Sequence, residues 1–143
     1  MLSGGKNLIS MRNTWITGIA FMAALSGSCS KESGNAIESN WELMIRSGGF
    51  SGSTQTYAPG NGNAYAFRND AYQKYTSSQL TKSGRFRVIK DSSYTQHQPA
   101  NRIIFDNDSA ATRTLINFVD TTMVLTEDVY DGFRYTYRKT SGR

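Results

Sequence analysis

The chain has 143 residues, with 16 Lys and Arg against 11 Asp and Glu for a formal net charge of +5, one histidine and one cysteine. A single histidine excludes a two-histidine metal site, and a single cysteine excludes an internal disulfide. The basic residues are scattered rather than bunched, which describes a solvated surface and not a nucleic-acid-binding stripe.

The first organised stretch is Trp15 to Leu25, the only long apolar run, preceded by Lys6 and Arg12 and followed by Ser26, Gly27, Ser28 and Cys29. A basic segment, a short apolar core and small residues are the layout of a secretory signal peptide. Eleven residues are too few to cross a hydrocarbon core of ~30 Å, which takes ~20 helical residues. A signal beginning at Met11 is as complete as one beginning at Met1. Leu25 to Cys29 resembles the lipobox of bacterial lipoproteins, in which the cysteine thiol is joined to diacylglycerol and the chain is cut on its amino side. The leucine stands four residues before the cysteine rather than the usual three. The alternative is an ordinary signal cut near Ser28 that leaves an incidental thiol. A lone thiol is a liability in an oxidising compartment, and acylation removes it. The expected organisation is a lipoprotein signal peptide over residues 1–28, a flexible tether over 29–37 with Cys29 lipidated, and one domain over 38–143. Loss of Lys6 and Arg12 with the signal takes the net charge to +3. What remains is enough for one core and too little for two domains.

From Glu38 the hydrophobic pattern has period two. Trp41, Leu43 and Ile45 alternate with Glu42, Met44 and Arg46; Tyr65 and Phe67 alternate with Ala64, Ala66 and Arg68. Tyr72 to Tyr75 follows, then Gly84, Phe86 and Val88 against Arg85 and Arg87, and Ile103 and Phe105 against Arg102 and Asp106. Leu115 to Val119, Met123 with Leu125, and Phe133, Tyr135 and Tyr137 complete the series. Alternation enriched in β-branched and aromatic residues predicts half-buried strands, eight in all. Turn chemistry separates them at Asn69–Asp70, Lys82–Gly84, Asp106–Asp108, Asp120–Thr121 and Asp131–Gly132. Short connections imply an antiparallel meander, and eight such strands close most simply into an up-and-down barrel without exposed edges. A flattened sandwich is the competing solution. One connection is long: residues 48–62 contain five glycines and two apolar side chains, Phe50 and Tyr57, that need cover. It is either a flap over a barrel mouth or a floppy crossover.

The pattern resembles the small lipocalin-like domains of Bacteroidota lipoproteins. The residues that carry the likeness are Trp41 to Leu43 with Gly48 to Gly52, then Ser83 to Phe86, then Met123 to Thr126 running into Asp131 to Arg138. The resemblance spans residues 38–139. It implies an exported protein, lipid-anchored in the cell envelope at the outer membrane, on its periplasmic face or the cell surface. It also implies a barrel that binds a small hydrophobic molecule or lipid. Departures are the absence of a helix after the last strand and, where classical lipocalins place a Gly-x-Trp at the first strand, a chain in which Asn40 fills the step before Trp41 and no glycine immediately precedes it. In that family the first-strand Trp plugs the closed end of the barrel under an Arg from the last strand, which assigns Trp41 and Arg138 a structural role.

Enzyme signals are poor, so a non-enzyme without cofactor, catalytic residues or metal is expected. Asp106 to Asp108 begins like a calcium loop but lacks the Gly and distal Glu that follow in one. Glu127, Asp128 and Asp131 cluster before the last strand, as a weak cation site or a solvated hairpin tip. Gly60 to Gly62 lacks the strand-to-helix setting of a phosphate loop. The aromatic strand residues are the remaining candidates. Tyr65, Phe67, Phe86, Phe105 and Tyr135, with Phe50 and Tyr57 from the long loop, line a ligand cavity if the barrel has one; otherwise the strand residues fill its core. A cavity-less interaction module of an envelope complex is the alternative function.

Overall fold

A computed structural model describes residues 36–141. The expected signal peptide, Cys29 and most of the expected tether lie outside the described residues.

Nine strands form one antiparallel sheet: β1 (Asn40–Gly48), β2 (Ser53–Thr56), β3 (Ala64–Arg68), β4 (Ala71–Thr76), β5 (Gln79–Ser92), β6 (Pro99–Phe105), β7 (Thr114–Val119), β8 (Thr122–Glu127) and β9 (Phe133–Thr140). Consecutive strands from β3 to β9 pair in order, and β9 returns to pair with β1 along its whole length. The result is a closed up-and-down barrel of eight strands, as the meander pattern requires. The ninth, β2, is an arm added to β1. No helix follows β9 among the described residues.

All eight expected strands are present, but one turn is misplaced. Lys82 to Gly84 lies inside β5, and the chain reverses instead at Ser77 and Ser78, both with positive φ. Gly84 marks a close approach, not a turn. A Cβ there would collide with the Asp106 carboxylate, which accepts from Tyr72 Oη at 2.8 Å and pairs with Lys82 at 3.0 Å.

The 48–62 connection is neither a floppy crossover nor a simple flap. After the turn at Gly49–Gly52, β2 pairs with Ile45–Gly48 of β1, and the chain then runs back to β3. Asn61 pins this return, donating from Nδ2 to Leu43 O at 2.9 Å and Ala58 O at 2.7 Å, while its Oδ1 accepts from Asn63 N at 2.9 Å. Gly62 allows the return to touch the β4–β5 turn. Its φ is +73°, and an added Cβ would strike Ser78, whose N–H donates to Gly62 O at 2.9 Å.

One half of the barrel is filled. Phe67 and Met123 are fully buried, with Trp41, Tyr72, Ile103 and Ile116 close behind. Phe67 meets Phe86 edge-on at 4.9 Å, and Trp41 meets Phe118 at 5.7 Å. Each such ring contributes roughly 1.5–3 kcal/mol on burial, so this packed half supplies the stability that an open half lacks. Ile37, placed in the tether by its sequence position, is also fully buried, and its carbonyl accepts from Trp41 Nε1 at 2.8 Å.

Candidate functional site

The other half of the barrel is open. β1 pairs with β3 only over Asn40–Glu42, then takes β2 as its neighbour from Ile45 onward. Beyond Glu42 the wall between β1 and β4 is therefore made by residues 57–63 and the β4–β5 turn rather than by strands. A cleft of about 330 Å³ enters there, walled by Leu43, Tyr65, Phe105, Leu125, Tyr135 and Tyr137, with Tyr57 and Tyr75 at its side. A larger depression of about 690 Å³ runs over Asn40, Glu42, Ala66 and Gln73. These residues alternate with the inward-facing ones, which puts most of that depression on the outer wall, and Ala64, Tyr65 and Tyr75 border both it and the cleft.

Tyr65 separates the filled half from the open one. Its ring stacks on Phe67 at 5.4 Å below and on Phe105 at 5.8 Å, and meets Tyr137 edge-on at 5.7 Å. Tyr65 and Tyr137 both line the cleft, and burial pushes both well above the ordinary phenol range, with repulsion from Tyr72 and Tyr135 adding at Tyr65 and from Tyr65, Tyr135 and Tyr57 at Tyr137. Both remain neutral donors and acceptors at any physiological pH. Burial also raises Tyr135, and Glu127 beside it adds to the effect.

One register shift and one regular alternation turn charge inward. In β1, Trp41 lies opposite Lys139 and Leu43 opposite Tyr137, but a bulge at Met44 puts Arg46 rather than Ile45 on the inner face, opposite Tyr135. The sequence alternation placed Arg46 outside, and the bulge reverses it. The signal was present: Leu43, Met44 and Ile45 are three apolar residues in succession, which a strand of strict period two cannot place on one face. In β4, Lys74 lies opposite Tyr65 on the inner face, its ammonium 5.7 Å from that ring, and a second shift follows at Tyr75. The spacing of Tyr72 and Tyr75 already departs from two. Glu127 is the third charge of the cleft. Its Oε2 accepts from Phe133 N at 3.0 Å and its Oε1 from Tyr135 Oη at 3.3 Å.

The sequence candidates divide accordingly. Tyr57, Tyr65, Phe105 and Tyr135 meet around the cleft. Phe67 and Phe86 belong to the packed half, at 0% and 9% exposure. Phe50 has no cover at all, being 97% exposed at the tip of the β1–β2 turn. Trp41 is buried, and the cation over its face is Lys139, at 6.0 Å, not Arg138. Arg138 alternates to the outside, where Nε binds Glu42 at 3.0 Å and Nη2 reaches Tyr57 O at 3.4 Å. Sequence reasoning missed Arg46, Lys74, Leu125 and Glu127 as cleft residues.

Asp106, Asp108, Glu127 and Asp128, noted in the sequence, are engaged within the fold, while Asp131 is exposed. Asp108 Oδ1 accepts from Ala110 N and Ala111 N, closing a turn. Asp128 is buried under bonds from Ser93 Oγ at 2.8 Å, Tyr94 N at 2.6 Å, Thr95 Oγ1 at 3.0 Å and Arg113 Nε at 3.4 Å, which fasten the β5–β6 loop to the end of β8. Among the described residues no three His, Cys, Asp or Glu side chains converge as metal ligands. Comparison with protein-family models, with curated proteins and with solved structures finds no match.

Proposed function

We propose that this protein is a binding barrel that holds a small hydrophobic molecule or lipid in the cell envelope, attached to the membrane by a lipid on Cys29. The observation that carries the ligand half of this reading is the cleft itself: about 330 Å³ among aromatic rings inside an otherwise packed barrel. That is at the small end of ligand-pocket volumes, ~300–1,000 Å³. It suits a short or folded apolar body. The barrel wall orders Tyr65, Phe105, Tyr135 and Tyr137 before any ligand arrives, so binding does not have to meet the cost of arranging them. The anchor half rests on the Leu25–Cys29 motif and the lone cysteine. The role is carriage or capture rather than catalysis.

The test of the cleft is titration of the chain from Ser30 onward, which holds every strand and core residue among the described residues, with an environment-sensitive fatty-acid probe. Saturable binding, displaced by bacterial lipid extract and weakened by removal of residues 51–62, is expected. The anchor is tested separately by Cys29→Ser, which should move the protein from the membrane fraction to the soluble one.

A second reading draws on Phe50 and Tyr130, 97% and 85% exposed. These would serve as contact residues of a surface interaction module. A folded protein that binds no probe favours that reading.

A further inference from the structure

We propose that the ligand is an anion, an apolar body ending in a carboxylate, and that Arg46 is the residue that grips it, with Lys74 lining the same cleft. This rests on the reading of the cleft as a ligand site. Arg46 faces the interior because of the Met44 bulge, and its Nε is buried without a hydrogen-bond partner. Among the described residues its guanidinium makes no ion pair within 4.0 Å; the face of Phe133 lies 3.9 Å from the guanidinium carbon, and the Tyr135 hydroxyl stands beside it and feels its charge.

The other arginines show what is unusual here. Arg138 has Glu42, Arg113 has Asp91 and Asp128, and Arg85 has Asp70. Arg102 also has a buried Nε without a partner, yet its Nη2 donates to Ser109 O at 2.8 Å and Nη1 stands 3.9 Å from Asp91. Among these, Arg46 is the one that lines the cleft, and no hydrogen bond or ion pair holds its buried Nε. An aromatic face offsets part of the cost of burying a cation but accepts none of its five N–H bonds. A buried polar group without a partner is costly, and a ligand oxygen that reaches it recovers that cost.

Charge in the cleft selects the sign of the ligand. Arg46 and Lys74 are opposed only by Glu127, whose oxygens already accept from Phe133 N and Tyr135 Oη. A second anion fits this balance and a cation does not. A carboxylate accepts two parallel N–H bonds from a guanidinium, the strongest arrangement open to that side chain. The neutral Tyr65 and Tyr137 hydroxyls can donate to the same group. Behind it the rings of Tyr65, Phe105 and Tyr137 receive the apolar body, alkyl or aromatic.

The experiment is calorimetric titration with matched acid and alcohol pairs: decanoate against decanol for an alkyl body, naphthoate against naphthalenemethanol for an aromatic one. The tighter pair identifies the body. In either pair the acid should bind at least tenfold more tightly than its alcohol. Arg46→Gln should abolish that preference and Arg46→Lys retain part of it, with thermal unfolding confirming that both variants fold. Lys74→Gln, at an exposed position, should reduce the preference without touching the core. Equal binding of acid and alcohol to the native protein, or a preference that survives Arg46→Gln, overturns the anion assignment and leaves the cleft standing. Binding of neither member of either pair by the folded protein overturns the cleft reading and this one with it.

Discussion

The guanidinium of Arg46 lies 3.9 Å over the ring of Phe133, its diagonal neighbour on the adjacent strand, at the start of β9. The contact exists because β1 carries one extra residue, Met44, between the pairs Leu43–Tyr137 and Ile45–Thr136. The bulge is held on its other side, where Leu43 O accepts from Asn61 and Met44 O from Tyr57 N at 2.8 Å. A local irregularity thus converts a surface arginine into an interior one. Phe133→Leu removes the face that steadies it and should lower stability by ~0.5–2 kcal/mol, read from urea unfolding.

The two halves of the barrel should respond differently to the loss of a ring. Phe67→Ala opens a void in the packed half and should cost ~3–5 kcal/mol in equilibrium unfolding. Phe105 stands half-buried on the cleft wall, so Phe105→Ala should cost clearly less and instead weaken probe binding. Equal destabilisation by the two changes would mean that both halves are core.

Asp128 should dominate the response to acid. Burial pushes its carboxyl up, but hydrogen bonds from Tyr94 N, Ser93 Oγ and Thr95 outweigh that and hold it well below the ordinary range. The unfolded carboxyl titrates near pH ~3.9, so the stabilisation is fully present above that value. As pH falls below about 4 the unfolded chain takes up the proton first and stability declines. Asp128→Asn should cost about 3 kcal/mol at neutral pH and flatten the fall between about pH 4 and pH 2. Urea midpoints measured across that range check both.

Gly84→Ala tests the close approach in β5. The new methyl would displace the Asp106 carboxylate from Tyr72 Oη and Lys82. Destabilisation of about 1–3 kcal/mol is expected, with Asp106→Asn in the same background adding little further because the bonds are already lost.

Much of this fold is legible in the sequence. Eight half-buried strands announce themselves by alternation, and short turns such as Asn69–Asp70 and Asp120–Thr121 dictate a meander. Closure follows because a free edge is a liability. What is not legible arises where contacts between distant residues override local pattern. Lys82 to Gly84 has turn composition, yet Asp106 draws it into a strand. Arg102 and Ile104 alternate outward as polar or edge positions would, yet both are buried, and the 106–113 loop reaches Arg102 through Ser109 O. β2 is too polar and too short to show a period. The cleft was half visible: its rings follow from alternation, while its charges depend on the Met44 bulge and on Lys74 facing inward opposite Tyr65. The runs Leu43 to Ile45 and Tyr72 to Tyr75 break period two and are the only hints.

The measurement that bears most directly on the open half of the barrel is nuclear magnetic resonance mapping of the folded domain during titration with decanoate. Signals of Tyr65, Phe105, Leu125, Tyr135 and Tyr137, and the Arg46 side-chain N–H, should shift together and saturate, while Phe67, Phe86 and Met123 stay in place. Shifts confined to Glu42, Ala66 and Gln73 on the outer wall, or none at all in a protein that remains folded, would contradict a ligand site inside the barrel.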